Sequence, residues 1–477
     1  MLIFRPARQK RGAIQGFGMD FTAIPRSGVP EIMWPALPST EAARLLAILH
    51  QLDQSQWWTP DALERMQFRQ LTQLVAHAYR TAPGYRARLA DAGYTGQEEI
   101  SAPIWRRIPV LSRRDVQQAG STLHSTGIPT AHGPTTSIST SGSTGTPVTV
   151  KKTALEQLYW QAFTMREELW QRRDFGAKLA VIRAFQGKHS TYPAGSLQES
   201  WGPPVSTVFP TGPSALLDLS MGLGQQAEWI ARQDPGYLLA PGTNLMFLAR
   251  HCREAGPRLP ALKAVRSFGE IVDGEVRDTC RDIWGVEVAD IYTTVEAGYL
   301  ALQCPEHDHY HIQSESALVE VLNEAGERVS PGQMGRVVVT ALHNYAMPLL
   351  RYEVGDYAEM GEMCPCGRGL PVLKRILGRG RDIVVLPSGE KRFGWLSSRG
   401  FAKIEALIQH QIVQKSPEEM DVKLVAHRPL TQEETAIVRA TIVQGFGHDF
   451  VLTFSYHDEL PRSASGKFFV FRSEIPA

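Results

Sequence analysis

Apolar residues recur at three- and four-residue spacing through Glu41–His50 and again through Gln67–Ala90. That period belongs to amphipathic helices, so a helical start is predicted over about 38–92, broken at Pro83-Gly84. From about residue 135 the pattern changes to short β-branched or apolar runs alternating with helical stretches. Leu179–Ile182, Ala264–Phe268 and Val286–Tyr292 read as strands, and Ser214–Arg232 and Val272–Trp284 as helices. Such alternation predicts an α/β core over about 135–300 with a largely parallel sheet. His311–Leu322, Gly335–Leu342 and Leu349–Met360 then alternate apolar and polar positions between Gly and Pro. A period of two predicts a smaller antiparallel β unit over about 311–377.

Two glycines among charges at Gly378-Arg-Gly-Arg-Asp382 predict a hinge. Residues 383–477 have a pattern of their own: a hairpin around Pro387–Glu390, a helix near 394–406 and a strand pair turning at Lys415-Ser-Pro417. Thr431 and Glu434 form a capping box for a helix running to about Gln444, and Val451–Tyr456 closes the unit as a strand. The expected organisation is an α/β protein with a large domain over 1–377, a hinge at 378–382 and a small α+β domain over 383–477.

Composition narrows the class. The chain has 477 residues, with 43% hydrophobic and 21% charged residues, as expected of a globular protein. A formal net charge of +1 gives no bias toward nucleic acid. No apolar run reaches the roughly 18 residues of a membrane span. The basic N-terminus lacks the apolar stretch of a secretory signal, so a cytoplasmic location is expected. Five cysteines in a chain this long make no disulfide framework, and Cys252 and Cys280 read as small buried hydrophobes.

Thr140-Ser-Gly-Ser-Thr-Gly-Thr-Pro147 is the densest chemical signal. Its amides and hydroxyls can converge on a polyphosphate, and Gly142 and Gly145 allow close backbone approach. A flexible linker would share this composition, but β-branched residues on both flanks argue for a strand–loop–strand. No Gly-Lys-Ser/Thr follows, so the loop is not a Walker motif. Glu296 stands just past a predicted strand end, where open parallel sheets bind ligands, and could hold Mg²⁺. Asp356, after a glycine turn in Arg351-Tyr-Glu-Val-Gly-Asp356, can accept both hydroxyls of a ribose. Lys467 ends Leu460-Pro-Arg-Ser-Ala-Ser-Gly-Lys467, a flexible segment able to reach another domain.

In this order the four elements resemble the adenylate-forming superfamily of acyl-CoA synthetases, adenylation domains and luciferases. Leu71–Ala90 and Cys364-Pro-Cys-Gly-Arg368 are similar to its phenylacetate–CoA ligase branch. The resemblance implies a multi-subdomain adenylation domain with parallel sheets, flanking helices and an antiparallel β unit, followed by a mobile C-terminal lid. It implies that Ser141, Gly142, Ser143, Thr144, Gly145 and Thr146 hold the ATP phosphates, that Gly269, Glu270 and Tyr292 line the adenine end, and that Thr293 and Thr294 also bind ATP, with the Thr294 hydroxyl standing in for the one lost at Val295. Asp356 would take the ribose, Arg379 would contact the nucleotide, Glu296 would hold the Mg²⁺, and Lys467 would sit between the reacting carboxylate and the α-phosphate. The implied reaction makes an acyl adenylate and then an acyl-CoA thioester, on an aromatic or apolar carboxylic acid. Trp201, Phe209, Phe268 and Tyr299 are pocket candidates. A carrier-protein pantetheine thiol or an amine is an alternative acceptor, and a non-catalytic nucleotide-binding scaffold is a reading of another class. Neither nucleic acid nor membrane is an expected partner, and a homodimer is compatible with the sequence. The chain departs from the family pattern at Val295, Thr293 and Arg381, and has no Lys directly after Pro147.

Cys304, Cys364 and Cys366 with one histidine make a Cys₃His set suited to structural zinc. His307 has the commoner spacing from Cys304, whereas His311 starts a predicted strand that would orient it. His311 is favoured, also by resemblance to the branch, with His307 as the alternate.

Overall fold

Ser39 caps the first helix, Thr40–Ser55, by accepting the Ala42 amide. Thr59 caps Pro60–Thr81 through the Ala62 amide, with Pro60 in the first turn, where no backbone N–H is required. Tyr85–Asp91 follows the Pro83-Gly84 break and completes the expected helical start. These features come from a computed structural model that describes residues 24–139, 147–185, 190–255, 258–379, 383–393, 398–401, 403–460 and 468–475.

Among the described residues, a six-stranded sheet has the order Ser196–Gln198, Ser214–Asp218, Leu179–Arg183, Tyr237–Leu239, Ala264–Arg266, Val288–Ala289. It is parallel except at the first, edge strand. Leu223–Gln233, Gly242–Ala255 and Gly274–Trp284 cover it, burying Trp229, Phe247 and Val276. One expectation is corrected here. Ser214–Asp218 is a strand, and the following helix begins only at Leu223. The strand is buried along nearly its whole length, and a short apolar run buried on both faces carries no period to separate strand from helix.

The predicted strand Val286–Tyr292 is likewise two strands. Val288–Ala289 ends the parallel sheet, and Ile291–Thr294 begins a seven-stranded sheet, with buried Asp290 between them. The second sheet has the order Ala317–Leu322, Met334–Ala341, Tyr352–Met360, Val372–Arg379, Tyr310–Ile312, Gly298–Gln303, Ile291–Thr294. Every pairing in it is antiparallel, as the alternating pattern predicted. Leu71, Leu74, Tyr85 and Leu89 pack from the helices onto Leu300, Val339 and Tyr352 of this sheet.

Ile383–Val385 and Lys391–Phe393 form the expected hairpin. Of the helix expected near 394–406, Ser398–Phe401 is described, while 394–397 and 402 lie outside the described residues. Leu407–Gln414 and Glu419–Ala426 pair antiparallel, flanked in parallel by Phe471–Ser473 and Val451–Tyr456. Gln432–Phe446 packs on this sheet, opened by the Thr431–Glu434 capping box. This C-terminal unit has its own core, but Leu460 and Phe468 join the core of the parallel sheet, where Phe468 meets Phe247 edge-on at 5.1 Å.

Candidate active site

Arg351 begins the Arg-Tyr-x-x-Gly-Asp segment as a staple. Its guanidinium is buried against Glu320 at 3.2 Å and donates to the carbonyls of Arg106 and Ile108 at 2.9 and 2.7 Å. Gly355 takes a φ of +83° with open space around it, so conformation rather than room selects glycine there. The strand register then sets Asp356 directly opposite Arg379. Arg379 Nε donates to Asp356 Oδ1 at 3.3 Å, and the Tyr292 hydroxyl donates to Oδ2 at 2.9 Å. Burial, and then the Asp356 carboxylate, hold the Tyr292 phenol well above its ordinary range, so it remains a donor.

Glu296 is buried, with the Tyr352 hydroxyl on Oε1 at 3.2 Å and Arg113 at 3.7 Å. Arg113 was not singled out from the sequence. It opens the helix Arg113–Ala119, which Ser112 and Asp115 cap reciprocally, and that Ser-x-x-Asp spacing was a visible signal for a helix start. Glu270 accepts the Thr243 amide and hydroxyl on Oε2 at 2.9 and 2.6 Å, and the Phe468 amide on Oε1 at 3.0 Å. Gly269, Glu270, Tyr292, Thr293, Thr294, Glu296, Asp356 and Arg379 all line one cavity of about 410 Å³, with Phe468 on its C-terminal side. Ser141–Thr146 and Lys467 lie outside the described residues. Their neighbours are placed: Thr135–Ser139 and Thr149–Thr153 pair across the neck of the loop, and Phe468 follows Lys467.

A second cavity of about 180 Å³ shares Trp160, Thr294 and Val295 with the first. Of the four aromatic candidates, Tyr299 lines it, whereas Phe209 is fully buried and Trp201 and Phe268 pack in the same apolar cluster.

The sulfur cluster assembles as the sequence suggested. Cys304, His311, Cys364 and Cys366 bring their ligand atoms within 4.8 Å of one another. Cys304 Sγ and Cys364 Sγ are 3.9 Å apart, close to the roughly 3.8 Å edge of a tetrahedron built on 2.3 Å zinc–sulfur bonds. His311 is fully buried, its Nδ1 lies 3.4 Å from the Leu370 carbonyl, and its Nε2 faces Cys366 Sγ at 3.4 Å. His307 is outside this group. Hydrogen bonds from the Cys304 thiol, His311 and Arg368 pull Cys366 far toward thiolate, while burial raises Cys364. Such a set fits a tetrahedral metal with no open position.

The C-terminal residues 395–474 match the family model described as the CapK C-terminal domain. The chain is 25% identical over 349 residues to the phenylacetate–coenzyme A ligase of Thermus thermophilus, covering 68% of this chain and 72% of that one. It is 24% identical over 367 residues to the enzyme of the same name from Pseudomonas putida, covering 70% and 74%. Its fold matches 2-hydroxyisobutyryl-CoA ligase in a postadenylation state with a TM-score of 0.68 at 19% identity, covering 86% of this chain and 89% of that one. Against the thioesterification state of that ligase, bound to 2-HIB-AMP and CoA, the TM-score is 0.54 at 19% identity, covering 86% and 90%. The chain shares the fold of that CoA ligase and a distant sequence likeness to two phenylacetate–coenzyme A ligases.

Departures from the adenylate-forming pattern now have positions. Val295, where the superfamily usually carries Ser or Thr, lines both cavities. The neighbouring Thr294 hydroxyl accepts the Ala297 amide at 3.0 Å, so its oxygen first secures the turn. Arg381 and Asp382, at the superfamily's hinge, lie outside the described residues. No helix among the described residues is long and apolar enough to cross a membrane.

Proposed function

We propose that this protein is an ATP-dependent acid–CoA ligase that activates a compact aromatic carboxylic acid as its adenylate and passes the acyl group to the thiol of CoA. One observation carries the reading: a nucleotide-sized cavity bearing Tyr292, Asp356, Arg379 and Glu296 meets a smaller, aromatic-walled cavity at Trp160, Thr294 and Val295. The reactants would touch at that shared wall. Asp356 would accept the ribose hydroxyls, exchanging its Tyr292 and Arg379 partners for them in part. Glu296 would hold Mg²⁺, since one carboxylate plus substrate phosphates is a common magnesium set. The ion would neutralise the phosphate charge as pyrophosphate leaves. Ser141–Thr146 would hold the leaving phosphates, and Lys467 would stabilise charge on the α-phosphate as the carboxylate attacks. The aromatic character of the acid is supported by the two distant phenylacetate–CoA ligases and by the rings around the second cavity. The Cys₃His cluster would hold a structural zinc.

The test is ATP-dependent pyrophosphate release over a panel of carboxylic acids, with and without CoA. Formation of AMP and an acyl-CoA is the expected result. Pyrophosphate release without transfer to CoA would redirect the acyl group to a carrier thiol or an amine. ATP binding with no pyrophosphate from any acid would overturn the reading in favour of a nucleotide-binding scaffold.

A further inference from the structure

Gly269, Glu270, Ile271, Val272, Asp273 and Val276 line the 410 Å³ cavity as one run of chain, which passes from a loop into the first turn of the helix Gly274–Trp284. The C-terminal unit meets this run at two places. At one end the Phe468 amide donates to Glu270 Oε1 at 3.0 Å. At the other end stands Glu275, 1% exposed, which receives Arg250 of the helix Gly242–Ala255 on Oε1. His410, in the strand Leu407–Gln414 of the C-terminal unit, presents Nε2 to the other oxygen of that carboxylate at 3.8 Å. Its ring is fully buried and lies flat on Phe401, with centroids 4.1 Å apart and an interplanar angle of 9°. Burial, and then Arg250, hold the imidazole well below its ordinary range, so His410 meets the ion pair as a neutral group.

None of Arg250, Glu275 and His410 lines the cavity. They act on it through the helix turn. Asp273 caps that turn by accepting the Val276 amide at 3.0 Å, and both of these residues line the cavity. Glu275 lies between them, and its carboxylate is the part that the C-terminal unit covers. A buried ion pair adds little net stability, but it tolerates few placements of its cover, because a shifted neighbour leaves a charge without water or partner. The pair therefore fixes the register in which His410 and Phe401 sit on the turn.

We propose that His410 and Glu275 are positioning residues for the nucleotide site: they hold the wall at 269–276 through the seat of the C-terminal unit, so that seating and nucleotide binding strengthen one another. This rests on the ATP site of the acid–CoA ligase reading above. The coupling is reciprocal, since whatever factor the seat adds to nucleotide affinity, the nucleotide adds to the seat.

The experiment measures backbone hydrogen exchange of the full chain with and without ATP and Mg²⁺, together with Kd for ATP by calorimetry. In the wild-type protein ATP should slow exchange at 277–281 and 407–414, which lie outside the cavity, as well as in the strands that line it. His410→Ala should speed exchange over 269–281 without ATP, saturating ATP should restore most of the protection, and Kd for ATP should rise about tenfold. Glu275→Gln keeps the shape of the side chain and should raise Kd in the same way. Protection by ATP that stops at the cavity lining overturns the proposal. So does a His410→Ala variant that exchanges faster throughout the C-terminal unit while binding ATP as tightly as the wild type, which is the pattern of a residue that only packs. If neither variant folds, the wild-type exchange pattern alone decides. ATP binding without pyrophosphate from any acid removes the ligase reading and leaves the coupling to the exchange data. Absence of ATP binding overturns both.

Discussion

His343 lies half-buried against the ring of Tyr159, and burial pushes its imidazole down to about 4 from an ordinary value near 6.5. A histidine whose folded value is depressed refuses a proton that the unfolded chain accepts. Its contribution to stability is therefore complete above pH 6.5 and is lost as the pH falls toward 4. At pH 5 the loss is at most about 2 kcal/mol. His343→Phe keeps a ring on Tyr159 and removes the titration, so the gap between the unfolding free energies from urea titrations at pH 7 and pH 5 should narrow by up to that amount; an unchanged gap would refute the assignment. At this scale the sequence singled out Asp356 and Glu296 by their chemistry, and both line one cavity. It was silent on Thr243 and Arg113, whose partners Glu270 and Glu296 come from distant segments that no local spacing announces. Glu270 had a ligand role in view, yet its carboxylate is engaged by Thr243 and Phe468.

Elements explain which of two histidines joins the three cysteines. Tyr310–Ile312 pairs with Val372 and Leu373, and that register sets His311 beside the Cys364-Pro-Cys366 turn, whereas His307 precedes the strand. Purified protein should contain one zinc per chain, and the double change Cys364→Ser with Cys366→Ser should abolish it. The melting midpoint should fall by about 5 °C or more, because a metal that binds only the folded chain contributes its binding energy to folding. Metal-free protein with unchanged melting would remove zinc from the account. The elements themselves were legible where local chemistry decides them. The Thr431–Glu434 capping box and the strand pair around Lys415–Pro417 are examples. They were illegible at Ser214–Asp218, whose apolar residues are buried by neighbours on both sides rather than patterned by one face.

Across the whole molecule, the C-terminal unit is seated on the large domain by the Phe468 ring on Phe247 and the Phe468 amide on Glu270. Both contacts are made by the residue after Lys467, so on the proposed ligase reading they would position that lysine for the first half-reaction and would have to break if the proposed hinge at 378–382 turns. Lys467→Ala should slow adenylation by about 10²–10³. Glu270→Ala, which removes the latch, should slow it by about tenfold, the equivalent of one modest hydrogen bond. Neither change should impair thioester formation from supplied acyl adenylate, and equal losses in both half-reactions would refute this division of labour. Asp290 is the single residue between Val288–Ala289 in one sheet and Ile291–Thr294 in the other. One residue inserted there would turn the next strand over, sending Tyr292 away from Asp356. Surface loops of this chain can grow or shrink in related proteins, but the length of that joint cannot drift, so gaps in an alignment of true functional relatives should be missing between positions 288 and 294.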